Sequence, residues 1–115
     1  HVDVSGGISN AISQAKTYLS EKGLNLGIEV ETRSMAEVEE ALENLPIQRI
    51  MLDNFSPERT AEAVKLIDGR CETEASGGIT LDNIEAYAAA GVDFISLGML
   101  THSVKSLDIS FKIII

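Results

Sequence analysis

The apolar positions of this chain follow two periods that alternate along its length. From Ile8 to Lys22 they recur at helical spacing, with Ile8, Ile12, Ala15 and Leu19 on one face, and Gly23 stands where a helix C′ glycine belongs. Leu26–Glu31 then reads as a short strand. Ser34 followed by Glu37 has the capping-box form and starts a helix to about Leu45, which Pro46 stops. Gln48–Asp53 is a second strand with an apolar middle. Ser56 and Pro57 place a cap serine before a first-turn proline, so the next helix runs to about Ile67 and ends near Gly69. Cys71–Ala75 is a third strand and Ser76–Thr80 a loop. Thr80 or Asp82 caps a helix to Ala90, which Gly91 closes. Val92–Leu97 is a fourth strand, and residues 107–115 read as extended with a very apolar end.

Strands therefore alternate with helices at steps of about 20 to 23 residues, the spacing of parallel βαβ units with right-handed crossovers. Such units build either a doubly wound sheet or part of a (β/α) barrel. With no linker or low-complexity stretch, the 115 residues read as one partial α/β domain. Four strands do not close an eight-strand barrel, and a lone fragment would expose two sheet edges. The expectation is that the complete molecule supplies further strands upstream.

Composition narrows the partners. The chain is 44% hydrophobic and 23% charged, which is globular, and its formal net charge of −9 repels polyanions. No basic stripe is present, so nucleic acid is not an expected partner. Backbone amides can still hold a small anion against a repulsive global field. No apolar run reaches the roughly 18 residues of a membrane span. Cys71 stands alone, which excludes an internal disulfide and points to a reducing cytoplasm.

Parallel α/β folds place their chemistry at the C-terminal ends of strands. Here those ends carry Glu31–Thr32, Asp53–Asn54, Ser76–Gly77–Gly78 and Gly98–Met99. Gly77 and Gly78 let backbone amides approach a phosphate with no Cβ in the way, helped by the start of the helix beginning near Thr80. The alternative is an ordinary tight βα turn. Glu31 and Asp53, at neighbouring strand ends, suit a ribose, a Mg²⁺ ion or a developing positive charge. The alternative there is a pair of strand-end acids salt-bridged to Arg33 or Arg49. Glu74 reads as an acid that fixes the glycine loop. His102 either contacts an anion or caps a short turn. Cys71 reads as a buried structural cysteine, Met51 as core filling, and Glu37, Glu39, Glu40 and Glu43 as the solvated side of a helix.

Taken together, the strings Ile28–Thr32, Ile50–Asn54, Glu74–Ile79, Gly91–Gly98, Leu100–Ser103 and Leu107–Ser110 resemble quinolinate phosphoribosyltransferase, also called nicotinate-nucleotide diphosphorylase (carboxylating), over essentially the whole chain. The resemblance implies the C-terminal half of a TIM-like α/β barrel. It implies transfer of a phosphoribosyl group from 5-phosphoribosyl 1-diphosphate to quinolinate, giving nicotinate mononucleotide, CO2 and diphosphate in NAD biosynthesis. Mg²⁺ would accompany the diphosphate. Glu31 and Asp53 would be the catalytic acids near the ribose and the metal. Ser76, Gly77, Gly78, Gly98 and His102 would bind phosphate. His1 would be the last residue of a Lys-(Asp/Glu)-Asn-His segment.

The same resemblance puts that segment's lysine, the cations that grip quinolinate and an N-terminal sandwich domain upstream of His1, and it completes the active site from a second subunit of a dimer. The 115 residues alone are thus expected to be inactive, because a dianionic substrate needs a cationic clamp. Two other readings remain: a related phosphate-binding barrel enzyme, and a non-catalytic half-barrel fragment.

Overall fold

A computed structural model describes residues 6–97 and the backbone of residues 112–114. The elements run α1 (Gly7–Lys22), β1 (Gly27–Thr32), α2 (Met35–Leu42), β2 (Arg49–Asp53), α3 (Pro57–Ile67), β3 (Glu72–Ser76), α4 (Ile84–Ala89), β4 (Phe94–Ile95) and β5 (Lys112–Ile114). Local chemistry sets most boundaries. Gly23 ends α1 at φ +64, and its amide bonds the last turn of the helix. The Ser34 hydroxyl accepts from the Glu37 amide and the Ser56 hydroxyl from the Arg59 amide, so both serines cap as the sequence predicts. Glu37 reaches back to the Arg33 amide at 2.7 Å, one residue before the cap.

Three boundaries differ from expectation. Helix α2 stops at Leu42, before Pro46 can act, and β4 is only two residues long. Helix α4 starts at Ile84 and not near Thr80, because the Asn83 carboxamide accepts from the Thr80 amide and the Thr80 hydroxyl from the Asp82 amide. Those side chains offer the backbone a turn in place of a first helical turn.

The strands are all parallel, in the order β4-β3-β2-β1-β5. β1 to β4 are laid down one beside the next, as the strands of a barrel are. β5 lies parallel along the other edge of β1, with Gly27 opposite Lys112.

Strand side chains alternate between two faces. One face, with Ile28, Val30, Ile50 and Leu52, joins Ile8, Ile12, Leu19, Val38, Ala41, Ala63 and Ile67 from α1, α2 and α3 in a single core. Ala75, Ile79 and Tyr87 form a smaller cluster under α4. The other face is polar and carries Glu29, Glu31, Arg49, Met51, Asp53, Glu72 and Glu74. Met51 is therefore not core filling: it lies between Glu31 and Glu74 in the ladder, half-buried on the polar face. Cys71 is half-buried at the edge of the main core, and burial pushes its thiol pKa up.

Candidate functional site

The polar face leads to a rim where the strands end. Asp53 and Ser76 close β2 and β3 as direct neighbours. Glu31 lies opposite Met51, on the face of Asp53 but two residues deeper, which is about 7 Å along the strand. The two acids thus share a face and not a row. Arg33, just past the end of β1, is what reaches Asp53: its Nε donates to Oδ2 at 3.3 Å. The Arg33 side chain is 51% exposed and that of Asp53 16%. The salt-bridge alternative for Asp53 therefore holds, with Arg33 as the partner.

The glycine turn adjoins Asp53. The Asn54 amide donates to the Ser76 carbonyl at 2.9 Å and locks the two loops together. Gly77 and Gly78 sit at φ +87 and +69, backbone that side chains avoid. A Cβ on Gly77 would lie 2.6 Å from Asn54 Oδ1, 2.8 Å from Asp53 Oδ1 and 2.9 Å from the Asn54 nitrogen, so nothing but glycine fits there unshifted. Asn54 itself is left-handed, at φ +61. The Gly78 carbonyl accepts from Asn83 Nδ2 at 3.2 Å. Among the described residues, the Gly77 and Gly78 amides meet no acceptor. The Thr80 amide does meet one in Asn83, so the helix start adds less to an anion site than its sequence suggested.

Below the rim the polar face is tied by Arg49. Its guanidinium contacts Glu74 at 3.0 Å, Glu72 at 3.2 Å and Glu29 at 3.8 Å, and lies 3.7 Å from the centre of the Phe94 ring. Glu74 also accepts from the Ser96 hydroxyl at 2.5 Å. Glu74 therefore ties β3 to Arg49 of β2 and to Ser96 just past β4. The sequence marks Arg49 only as a possible partner for the strand-end acids. The signal was a lone cation in a strand flanked by strands bearing paired glutamates at period 2. Two of the four acids assigned to the solvent side of α2 are also engaged: Glu37 caps, and Glu40 accepts from the Ser9 amide at 2.9 Å.

His1, Gly98 and His102 lie outside the described residues. Among those described, no three His, Cys, Asp or Glu side chains gather to hold a metal ion. Two carboxylates on one face fit an ion that brings phosphate and water oxygens with it, as Mg²⁺ does. An apolar hollow of about 440 Å³ lined by Leu19, Leu26, Ile28 and Ile47 lies at the opposite strand ends, where barrels do not place chemistry. No described helix is long and apolar enough to cross a membrane.

Residues 1–112 match the family described as Quinolinate phosphoribosyl transferase, C-terminal domain. The chain is 46% identical over 127 residues to quinolinate phosphoribosyltransferase [decarboxylating] 1b of Nicotiana tabacum, covering 98% of this chain and 36% of that protein. It is 44% identical to the mitochondrial 2a protein of the same plant and 46% to the chloroplastic nicotinate-nucleotide pyrophosphorylase [carboxylating] of Arabidopsis thaliana. The solved nicotinate-nucleotide pyrophosphorylase of Francisella tularensis superposes with TM-score 0.74 at 38% identity, over 91% of this chain and 36% of that one. The chain spans about a third of the length of the curated relatives it matches. The run of parallel strands β1 to β4 and the match over residues 1–112 agree: the chain belongs to the quinolinate phosphoribosyltransferase family, as the C-terminal part of its α/β-barrel domain.

Proposed function

We propose that this chain supplies the phosphoribosyl-binding part of an enzyme that joins quinolinate to 5-phosphoribosyl 1-diphosphate, releasing CO2 and diphosphate and forming nicotinate mononucleotide for NAD synthesis. The observation that carries this reading is the close approach of the Gly77 backbone to the Asp53 carboxylate, 2.8 Å from Oδ1 to the position a Cβ would take. A phosphate-sized anion on the Gly77 and Gly78 amides would then lie next to a carboxylate on the face shared with Glu31.

That arrangement suits the chemistry. Departure of diphosphate leaves positive charge on the ribosyl carbon. A carboxylate about 4 Å from it is worth about 4 kcal/mol at an effective dielectric near 20, and Glu31 and Asp53 act in that role. Ser76, Gly77, Gly78, Gly98 and His102 hold phosphate in this proposal, and His1 takes part in substrate binding. Glu31 and Asp53 would hold Mg²⁺ that arrives with the diphosphate, and the ion supplies charge neutralisation there. We further propose a homodimer in the cytoplasm; the organelle designations of the plant relatives make fractionation the test of location.

The test of function is turnover of quinolinate with phosphoribosyl diphosphate by whatever full-length protein carries this chain. Activity is expected there, and the isolated 115 residues should give little or none. Glu31→Gln should lower kcat roughly 100-fold, about 3 kcal/mol, with KM for quinolinate little changed. No CO2 release from quinolinate by the full-length protein would refute the reading.

A further inference from the structure

Arg33 pairs with Asp53 but spends only one end of its guanidinium doing so. The Nε–H is the donor, at 3.3 Å, and among the described residues the terminal nitrogens meet no acceptor. A guanidinium has five N–H donors in a rigid fork, so four remain. The residue is also held at both ends: its amide donates to Glu37 Oε1 at 2.7 Å, and its side chain lies against Asp53. The guanidinium is thus oriented toward the rim before a ligand binds.

Its place in the rim gives that fork a direction of use. The Asp53 carboxylate turns Oδ2 to Arg33 and Oδ1 toward the Gly77 backbone. Arg33 and the glycine turn therefore flank the same carboxylate. An anion entering here meets Asp53, then Glu31 deeper on the same face, in a chain of net charge −9. A cation beside the glycine turn would offset that field where the backbone amides bind. Arg49 is committed to Glu72 and Glu74 at 14% side-chain exposure, whereas Arg33 is open to solvent.

We propose that Arg33 is a substrate-positioning residue that fixes Asp53 through Nε and grips a phosphoryl group of the bound substrate with its terminal nitrogens. This rests on the phosphoribosyl-transfer reading above. The planar fork matches two phosphoryl oxygens at once, a geometry a lysine does not reproduce.

The experiment is titration calorimetry on the full-length protein with two probes, Mg²⁺-diphosphate and inorganic phosphate. Arg33→Gln is expected to weaken at least one of them tenfold or more, and Arg33→Lys to recover part of the loss. Loss with Mg²⁺-diphosphate assigns the contact to the diphosphate end. Loss with inorganic phosphate alone assigns it to the ribose phosphate. Because the pair is exposed, the variants should melt within about 2 °C of the parent, and Arg33→Lys serves should Arg33→Gln misfold. Arg33→Gln should weaken binding in an Asp53→Asn background as well. If it does not, Arg33 acts only by neutralising Asp53, and the phosphoryl contact is overturned. Unchanged affinity for both probes, or no binding of either by the parent, overturns it too. Loss of probe binding in a protein that cannot turn over quinolinate would sink the assigned reaction while leaving the role of Arg33 intact.

Discussion

At the residue scale, the two glycines of the 76–78 turn are not equivalent. Both carry positive φ, which costs a residue with a Cβ about 1–2 kcal/mol. Gly78 has open space around it, whereas a Cβ on Gly77 runs into Asn54 and Asp53, including the Asn54 backbone nitrogen. Gly78→Ala should therefore cost about that backbone term alone. Gly77→Ala should cost more, because backbone as well as side chains must shift, and it should move Asp53 away from the turn. Urea denaturation of the two variants gives the ranking, and phosphate affinity should fall more in Gly77→Ala. Equal losses in both would mean that the approach of Asp53 to the turn is not tight. The need for glycine at both positions was legible in the sequence as a Ser-Gly-Gly loop. The partner that makes Gly77 unique was not, because Asn54 is 23 positions away and reaches it only through strand pairing. The left-handed conformation of Asn54 had a residue-level signal, since Asn tolerates that region better than most residues.

At the scale of elements, the boundaries set by local caps, Gly23, Ser34, Ser56 and Pro57, could be read from the chain alone. The start of α1 lies within a residue of the Ile8 that periodicity marks, but the way it is capped could not be read. Gly6 caps it with no side chain, at φ +91, and the missing acceptor comes from another helix: Glu40 of α2 takes the Ser9 amide. Glu40 lies near the C-terminus of its own helix, the wrong end for an anion, yet beside the N-terminus of α1, the right end. The Ser9 amide holds its carboxyl below the usual glutamate range, against the opposing effect of burial. The sign follows from the direction. A carboxyl more acidic in the folded state stabilises the fold above the ordinary glutamate pKa of about 4.3, and that contribution disappears as pH falls through the lowered value. Glu40→Gln keeps an acceptor and removes the charge. It should cost about 0.5 kcal/mol at pH 7, a drop of roughly 2–4 °C in Tm, with no difference from the parent once the pH is well below 4. A gap that persists in acid would assign the effect to packing and not to charge. Periodicity put Glu40 on the solvent side of α2, and it cannot tell a solvated face from one that meets the end of a neighbouring helix.

For the whole molecule, the sheet has two faces that cohere by different physics. The helix side is sealed by aliphatic packing, and its residues were legible as periodic apolar positions. The other side is tied across β1, β2, β3 and β4 by one cation. Arg49 faces Glu29 on β1, Glu72 and Glu74 on β3 and the Phe94 ring on β4, and Ser96 completes the set through Glu74. The alternation of acids was visible in the sequence, but register was not. Only the pairing of Glu29 with Arg49, and of Arg49 with Glu72, reveals three carboxylates converging on one guanidinium. Removing that cation tests whether the lattice is structural. In Arg49→Met, Glu29 at 1% and Glu74 at 9% side-chain exposure keep their burial and lose the Arg49 guanidinium, at a cost of about 3 kcal/mol near neutral pH. Acid relieves the mutual repulsion of Glu29, Glu72 and Glu74 that the guanidinium otherwise offsets, while the folded state persists. The gap in urea midpoint between the parent and Arg49→Met should therefore narrow as pH falls from 7 toward 5. Adding Glu74→Gln to Arg49→Met should recover part of the loss at pH 7, a coupling expected of residues in direct contact. If the gap instead stays constant with pH, the guanidinium holds the four strands through its aliphatic stem and its stacking on Phe94, and the carboxylates are bystanders.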